Sequence, residues 1–459
     1  MIALRLSEIA AAVGGELHGE DVVVRGAAYV DSRSPLPNGL FVAVVGERTD
    51  GHEYADGAHA VLGSRPTSAP TVVVADPVTA LGRLARHVLD RLDVTVLALT
   101  GSQGKTGTKD YLAAVLRTLA GEEAVVATTA NHNNELGVPM TALRAGESTR
   151  FLVVEMGARG IGHIAELCRI APPAVAAVLN VGTAHVGEFG GREQIAQAKG
   201  EIVEALPADG TAVLNADDEL VAAMAPRTAA QVLTFGVGGA VRWSDLRLDA
   251  LGRPAFVLEH DGSAASVQLL QTGSHQVQNA AAAAAMALAV GFTLDDVGRA
   301  LARAAAASPW RMEVSERADG LVVVNDAYNA NPESMRAALE ALMAVGRGDG
   351  ARPRRTVAVL GEMKELGPEH ETGHRAVGRA AAELGVDVLV VVGSAARGIA
   401  DGSAEAAEPV GEVIVTAGRE EAADWVRQNA GPEDVVLVKA SRGAALEWVA
   451  DQVLEETTR

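Results

Sequence analysis

Between Thr100 and Thr106 the chain reads T-G-S-Q-G-K-T, after an apolar, β-branched run at 94–99 and before a helical pattern. In that pattern Tyr111, Leu112, Val115, Leu116 and Leu119 recur at helix spacing. A strand that turns through glycines into a helix aims backbone N–H groups and the positive helix end at one point, which suits a phosphate. Lys105 adds a mobile ammonium for outer phosphates, and Thr106 a hydroxyl of the kind that ligates Mg²⁺. The general phosphate-loop pattern has a glycine where Leu99 stands, so this is a tighter variant. A glycine turn that happens to carry a lysine is the plain alternative; the flanking strand and helix favour a nucleotide.

A chain of 459 residues exceeds one core, and about three domains are expected. Apolar residues make up 48% and charged ones 21%, a globular and not a disordered composition. A net charge of −20 argues against nucleic acid or anionic membrane as a bulk partner, so anionic ligands must be held by local donors. The single cysteine, Cys168, excludes internal disulfides and reads as a small core residue. The longest apolar stretch, 280–292, falls short of a membrane span, and the N-terminus lacks a signal-peptide pattern. A cytoplasmic enzyme is expected.

Of 39 basic residues only five are lysines, at 105, 109, 199, 364 and 439. Arginine cannot lose its proton or react as an amine, so each lysine is kept either by chance or where a primary amine is needed, and is a candidate to weigh. Lys109 reads as the exposed first turn after the phosphate loop; Lys105, Lys199 and Lys439 sit in more pointed contexts.

Short strand patterns at 22–24, 40–45 and 71–74, then a helix at 80–92, fill the first ninety residues. Asp31-Ser32-Arg33 and the 46–52 stretch are polar loops between them, readable as binding loops or as ordinary turns. From 92 to 308 strand and helix alternate, implying a mostly parallel sheet with helices on both faces. Strands are expected at 124–127, 151–155, 174–181 and 211–215, and helices at 191–206 and 275–290. A second α/β unit begins near 309, with strands at 321–326, 356–360, 386–392, 412–415 and 435–439.

Polar residues gather at strand ends, where open α/β sheets bind ligands. Glu155 closes the strand F-L-V-V-E and could hold Mg²⁺ or pair with a loop donor. His185 follows another strand, and a lone histidine there is more often structural than catalytic. Lys199 lies on a helix with Ile195 and Ile202 on its apolar side. Asp326 and Tyr328 sit in N-D-A-Y-N-A-N-P after a valine-rich strand, a pattern that serves a ribose and a base, or an Asn-Pro turn with a helix cap.

Taken together these segments resemble the Mur ligase family over nearly the whole chain. The family-wide features are the Thr100–Thr106 loop, Glu155, His185, Lys199, the G-S-H run at 273–275 with Asn279, and Arg311. More particular to one branch, which adds D-alanyl-D-alanine to UDP-N-acetylmuramoyl-tripeptide, are the segments 131–141, 326–332, 360–367, 438–442, and Asp31-Ser32-Arg33 with Asp50-Gly51-His52. The resemblance implies an α/β protein of three domains. A small N-terminal α/β domain (1–91) would bind the UDP substrate, a central phosphate-loop domain (92–308) ATP, and a Rossmann-like domain (309–459) would complete the ligase. It implies that ATP phosphorylates the tripeptide carboxylate and that the dipeptide amine then displaces phosphate.

By the same resemblance Gly101, Ser102, Gln103, Gly104, Lys105, Thr106, Gly107, Asn279, Arg311, Asp326 and Tyr328 would bind ATP. Lys105, Glu155, His185 and Lys199 would be catalytic. Thr106 and Glu155 would hold one Mg²⁺; His185 and Lys199, the latter carboxylated by CO₂, a second. Ser32, Arg33, Asn131, Asn134, Ser441 and Arg442 would contact the UDP-tripeptide or dipeptide. A monomer, with neither nucleic acid nor membrane insertion, is implied. Two positions depart from the family pattern: Gln276 where asparagine is usual, and Ala440 where glycine is common. A sibling ligase for another amino acid, a folylpolyglutamate-type ligase and a phosphate-loop ATPase acting as a switch are the rivals; segments 131–141 and 360–367 argue against the first two.

Overall fold

The computed structural model describes residues 1–46, 49–129, 132–182, 191–305, 308–347, 353–364 and 366–455. The chain divides into two compact units. One comprises Met1–Val181, Glu193–Gly239 and Ala282–Phe292; the other comprises Gly182–Arg192, Ala240–Ala281 and Thr293–Arg459.

The first unit holds two larger sheets and the short antiparallel pair Leu4–Arg5 and Val23–Val24. In the N-terminal one the strands run in the order Glu16–His18, Thr71–Val73, Ala60–Gly63, Leu40–Val42, Ala28–Tyr29, parallel except for the first pair. Tyr29, Phe41 and Val61 pack a small core there. The second sheet is fully parallel, in the order Gln231–Phe235, Thr211–Asn215, Val175–Val178, Thr95–Thr100, Phe151–Glu155, Val125–Ala127. Its inner strands are apolar apart from polar residues at their ends, because both faces are buried, as a parallel sheet requires. Strand order reverses beside Thr95–Thr100, whose neighbours are Phe151–Glu155 on one side and Val175–Val178 on the other. Such a switch point opens a crevice at the strands' carboxyl ends. Register sets Glu155 opposite Leu99, at the lip of the turn that follows.

The second unit carries a six-stranded sheet in the order Glu313–Glu316, Val322–Asn325, Asp434–Lys439, Arg355–Leu360, Val388–Val392, Glu412–Thr416, antiparallel only at its first pair. Apolar cores lie on both faces. Here the expected strands differ from the observed ones by a residue or two at their ends. The strand–helix alternation expected up to 308 gives way over 242–268, where Arg242–Leu248, Pro254–His260 and Ser263–Gln268 form an antiparallel meander. Burial alternates along Pro254–His260, the mark of a sheet packed on one face. Asp261 (φ 46°) and Gly262 (φ 74°) make the Asp-Gly turn that reverses the chain. Among the described residues no helix is long and apolar enough to cross a membrane.

Candidate active site

The phosphate loop runs from the buried strand Thr95–Thr100 into the helix Lys105–Ala120. Gly104 caps that helix at φ 76°, a left-handed conformation that glycine adopts without strain. Gly101 is needed for space, since a Cβ there would lie 2.9 Å from the Leu179 side chain. Asn180 splints the turn: its carbonyl accepts from Ser102 N at 3.2 Å, its Oδ1 from Gln103 N at 2.9 Å, and its Nδ2 donates to Gln103 O at 3.2 Å. Lys105 Nζ curls back over the loop to donate to Gly101 O at 2.7 Å.

Glu155 ends its strand 3% exposed, with both carboxylate oxygens engaged. Oε2 accepts from the Thr106 hydroxyl at 3.1 Å and Oε1 from Asn133 Nδ2 at 2.8 Å. Its own N–H donates to Thr128 Oγ1 at 3.0 Å. Asn133 is further tied by its carbonyl, which accepts from Gly157 N at 2.8 Å. Asn131 and Asn134 are the asparagines expected at the substrate, yet Asn133 is the one that grips Glu155; three nearby asparagines are indistinguishable until the loop's path is known. Asn134 turns its Oδ1 back on the chain, accepting from Gly137 N at 2.9 Å. Asn131 and His185 lie outside the described residues.

Lys199 sits on the helix Arg192–Glu204, only 7% exposed. Burial, and then the like charge of Lys105, push its pKa well below the usual lysine value. Its neighbours hold the helix in place. Glu201 is buried and accepts from Gly162 N and from Ala165 N (2.9 Å), capping the helix His163–Ile170. At Gly200 a Cβ would fall 1.9 Å from Arg227 Nη1, and that guanidinium donates to Ala196 O at 3.1 Å and Gln197 O at 2.9 Å. Sequence gave no sign of these partners, because Arg227 is remote along the chain.

Among the described residues no three His, Cys, Asp or Glu side chains cluster as a metal site. The donors at the loop still fit Mg²⁺, a hard cation that keeps several waters and takes only one or two protein oxygens. Thr106 Oγ1 and Glu155 Oε2, 3.1 Å apart at the phosphate loop, are such a pair.

In the second unit Asp326 is fully used: Oδ2 pairs with buried Lys439 Nζ at 2.6 Å, and Oδ1 accepts from Met312 N at 3.1 Å. Lys439 also donates to Asn329 O at 2.8 Å. Arg311 stacks over the Tyr328 ring at 4.2 Å, and its buried Nε has no hydrogen-bond partner among the described residues, a costly state for a guanidinium. Trp310 and Met312, on either side, both take positive φ (57° and 50°). Asn279 Nδ2 donates to Gln276 Oε1 at 2.9 Å. Ser441 is buried, its Oγ accepting from Lys364 N at 2.9 Å. Arg442 lies over Trp310 at 4.1 Å and pairs with Glu447.

In the N-terminal sheet's loops Arg33 forks onto Asp31 at 2.9 and 2.7 Å, holding that carboxyl down at about 2; Ser32 lies between them. Asp50 is likewise held at about 2, by the backbone and ring of His52 and then by Arg65. His52 Nδ1 donates to Asp50 at 2.6 Å while Nε2 accepts from Ser64 N at 2.8 Å, so the loop is strapped to the strand end at Ala60–Gly63.

Residues 99–287 match the Mur ligase middle domain and residues 310–442 the Mur ligase glutamate ligase domain. A UDP-N-acetylmuramoyl-tripeptide–D-alanyl-D-alanine ligase of Mycobacterium tuberculosis is 45% identical over 431 residues, spanning 86% of this chain and 84% of that protein. The chain belongs to the Mur ligase family. The Escherichia coli protein of the same description is 36% identical, over 88% and 89% of the two chains. A crystal structure of MurF from Acinetobacter baumannii superimposes with TM-score 0.86 at 32% identity, covering 99% of both chains. The Thermotoga maritima MurF ligase in complex with ADP gives 0.80 at 32% identity, over 94% of this chain and 97% of that one.

Within this Mur ligase, both departures from the family pattern are absorbed locally. Gln276 turns its carbonyl onto Asn279. Ala440 is buried and absent from the positive-φ residues, so its Cβ meets no backbone conflict. Lys109 overturns the expectation of exposure. It is 3% exposed, with Nζ 2.6 Å from Asp110 Oδ1 and donating to Thr128 O at 3.0 Å. The helix faces the sheet at that turn, and the single-sequence pattern carried no sign that a lysine would follow it inward.

Proposed function

We propose that this chain joins D-alanyl-D-alanine to UDP-N-acetylmuramoyl-tripeptide with ATP, releasing ADP and phosphate, in peptidoglycan precursor synthesis. The observation that carries the reading is the oxygen pair Thr106 Oγ1 and Glu155 Oε2 at the phosphate loop, in the unit where burial, and then the charge of Lys105, lowers the pKa of Lys199. The substrates are inferred from the relatives that carry them in their names.

A carboxylate and a triphosphate repel, so the site must first neutralise anionic charge. Gly101 to Thr106, with Gly107 behind them, cradle the β- and γ-phosphates, and Lys105 leaves its carbonyls to meet them. A tripeptide carboxylate oxygen attacks the γ-phosphorus, the β–γ bridge bond breaks, and ADP departs. The dipeptide amine then attacks the acyl carbon, its C–O bond to phosphate breaks, and the nitrogen gives up a proton.

Mg²⁺ would supply neutralisation of the anionic charge, with Thr106 and Glu155 the residues that would hold one ion and His185 and Lys199 those that would hold a second. Lys199 reaches that second site as a carbamate, formed when its neutral amine adds CO₂ and releases a proton; burial beside Lys105 favours the neutral amine. Asn279, Arg311, Asp326 and Tyr328 serve the adenosine and phosphates, the unpartnered Arg311 Nε awaiting an anionic oxygen. Ser32 and Arg33 serve the uridine diphosphate; Asn131, Asn134, Ser441 and Arg442 serve the peptide ends. Domains 1–91, 92–308 and 309–459, a cytoplasmic location and a monomer complete the reading.

The test is to measure ADP release with each substrate withheld in turn, and with single amino acids in place of the dipeptide. ADP formation should require both UDP-tripeptide and D-alanyl-D-alanine. Equal release with either missing would mark a nucleotide switch, and faster turnover with a free amino acid would mark a sibling ligase.

A further inference from the structure

Only five lysines stand among 39 basic residues, and Lys109 is among the least exposed of them. Its ammonium is enclosed with the Asp110 carboxylate at 2.6 Å and donates to Thr128 O at 3.0 Å. A buried ion pair seldom adds net stability, because desolvation offsets the Coulomb gain; its best-attested use is to specify geometry. What this pair specifies can be followed bond by bond. Thr128 clasps the end of the strand Phe151–Glu155: its N–H donates to Val153 O at 3.0 Å, and its Oγ1 accepts from Glu155 N at 3.0 Å. The same segment leads on to Asn133, whose amide grips Glu155 Oε1 at 2.8 Å. Lys109 lies on the helix that also presents Thr106 to Glu155 Oε2. One helix therefore touches the carboxylate directly through Thr106, and touches the loop that orients it through Lys109.

We propose that Lys109 is a positioning residue: through Thr128 it sets the root of the loop carrying Asn133, and so fixes the Glu155 carboxylate against Thr106 for a divalent cation. Arginine, abundant everywhere else, does not suit the place. A compact ammonium directs separate donors at the Asp110 carboxylate and the Thr128 carbonyl, and the bulkier planar guanidinium would have to displace the side chains packed around that buried point. This inference rests on the reading of Thr106 and Glu155 as a metal site, and the experiment separates the two.

Mn²⁺ serves as the probe, its binding to the full-length, ADP-loaded protein followed by electron paramagnetic resonance. The variants are Lys109→Met/Asp110→Asn, which removes both charges together, and Thr128→Val, which leaves the ion pair but removes the clasp on Glu155. Both should bind metal-free ADP as the wild type does, yet bind Mn²⁺ about tenfold or more weakly, the usual effect of losing a partner that orients a ligand. Wild-type Mn²⁺ affinity in either variant overturns the proposal. Failure of both to fold also overturns it, in favour of a purely architectural ion pair. Glu155→Gln is the reference: if it leaves Mn²⁺ binding unchanged, the metal reading of Glu155 has failed, whatever Lys109 does.

Discussion

A lysine amine adds CO₂ only when it is unprotonated, and Lys199 lies where burial and the Lys105 charge both disfavour its proton. Carbamate formation should therefore run below the alkaline range that an ordinary lysine, about 10.4, would require. Stripping CO₂ at pH 7 should abolish activity, and bicarbonate should restore it at the same pH. Lys199→Arg keeps charge and length but cannot form a carbamate, so it should lose at least about 100-fold in kcat and gain nothing from bicarbonate. Full activity in that variant would remove the carbamate from the mechanism. The linkage has a definite sign. Without CO₂ the folded state binds fewer protons than the unfolded chain between the lowered pKa and about 10.4, so stability rises with pH across that window. A Lys199→Met variant should lose that slope in urea titrations taken at successive pH values.

Mid-helix glycine is ordinarily a weakness, and replacing it with alanine stabilises an exposed helix by about 1 kcal/mol. Gly200 should behave in the opposite way, because the Arg227 guanidinium occupies the space its Cβ would fill. Gly200→Ala should destabilise by about 1–3 kcal/mol, as overpacking does. In an Arg227→Ala background the same change should become stabilising. Urea unfolding of the four proteins in the cycle measures the coupling, and a coupling near zero would show that the two sites act independently. Element by element, the sequence was informative where one chain segment carried its own pattern. The strands Phe151–Glu155 and Thr211–Asn215 fall where their apolar runs placed them. The meander at 242–268 was missed because its strands are half-buried and polar on alternate positions, a weaker signal than a fully apolar run. The burial of Lys109 and the grip of Asn133 on Glu155 escape the sequence for a different reason: the placing of a polar side chain depends on partners such as Thr128 and Glu155, which lie elsewhere in the chain.

On the scale of the whole molecule, two compact units with apolar cores of their own imply unfolding in more than one step. Calorimetry should give a total enthalpy larger than the van't Hoff enthalpy of any single transition, and equality of the two would show one cooperative unit. Adding Mg²⁺ and ADP should raise the transition of the unit that holds the phosphate loop, by about 2.7 kcal/mol at a hundredfold excess over the dissociation constant. Sequence alone determined that the chain is an α/β protein with a phosphate loop, and which ligase family it joins. Those properties reside in contiguous stretches, the Thr100–Thr106 turn above all, whose residues meet whatever the rest of the chain does. Tertiary structure decided the orientation of Glu155 by Thr106 and Asn133, the depressed pKa of Lys199 and the burial of Lys109. Each of these depends on distance and dielectric between remote segments, and neither quantity exists until the sheet has set its register.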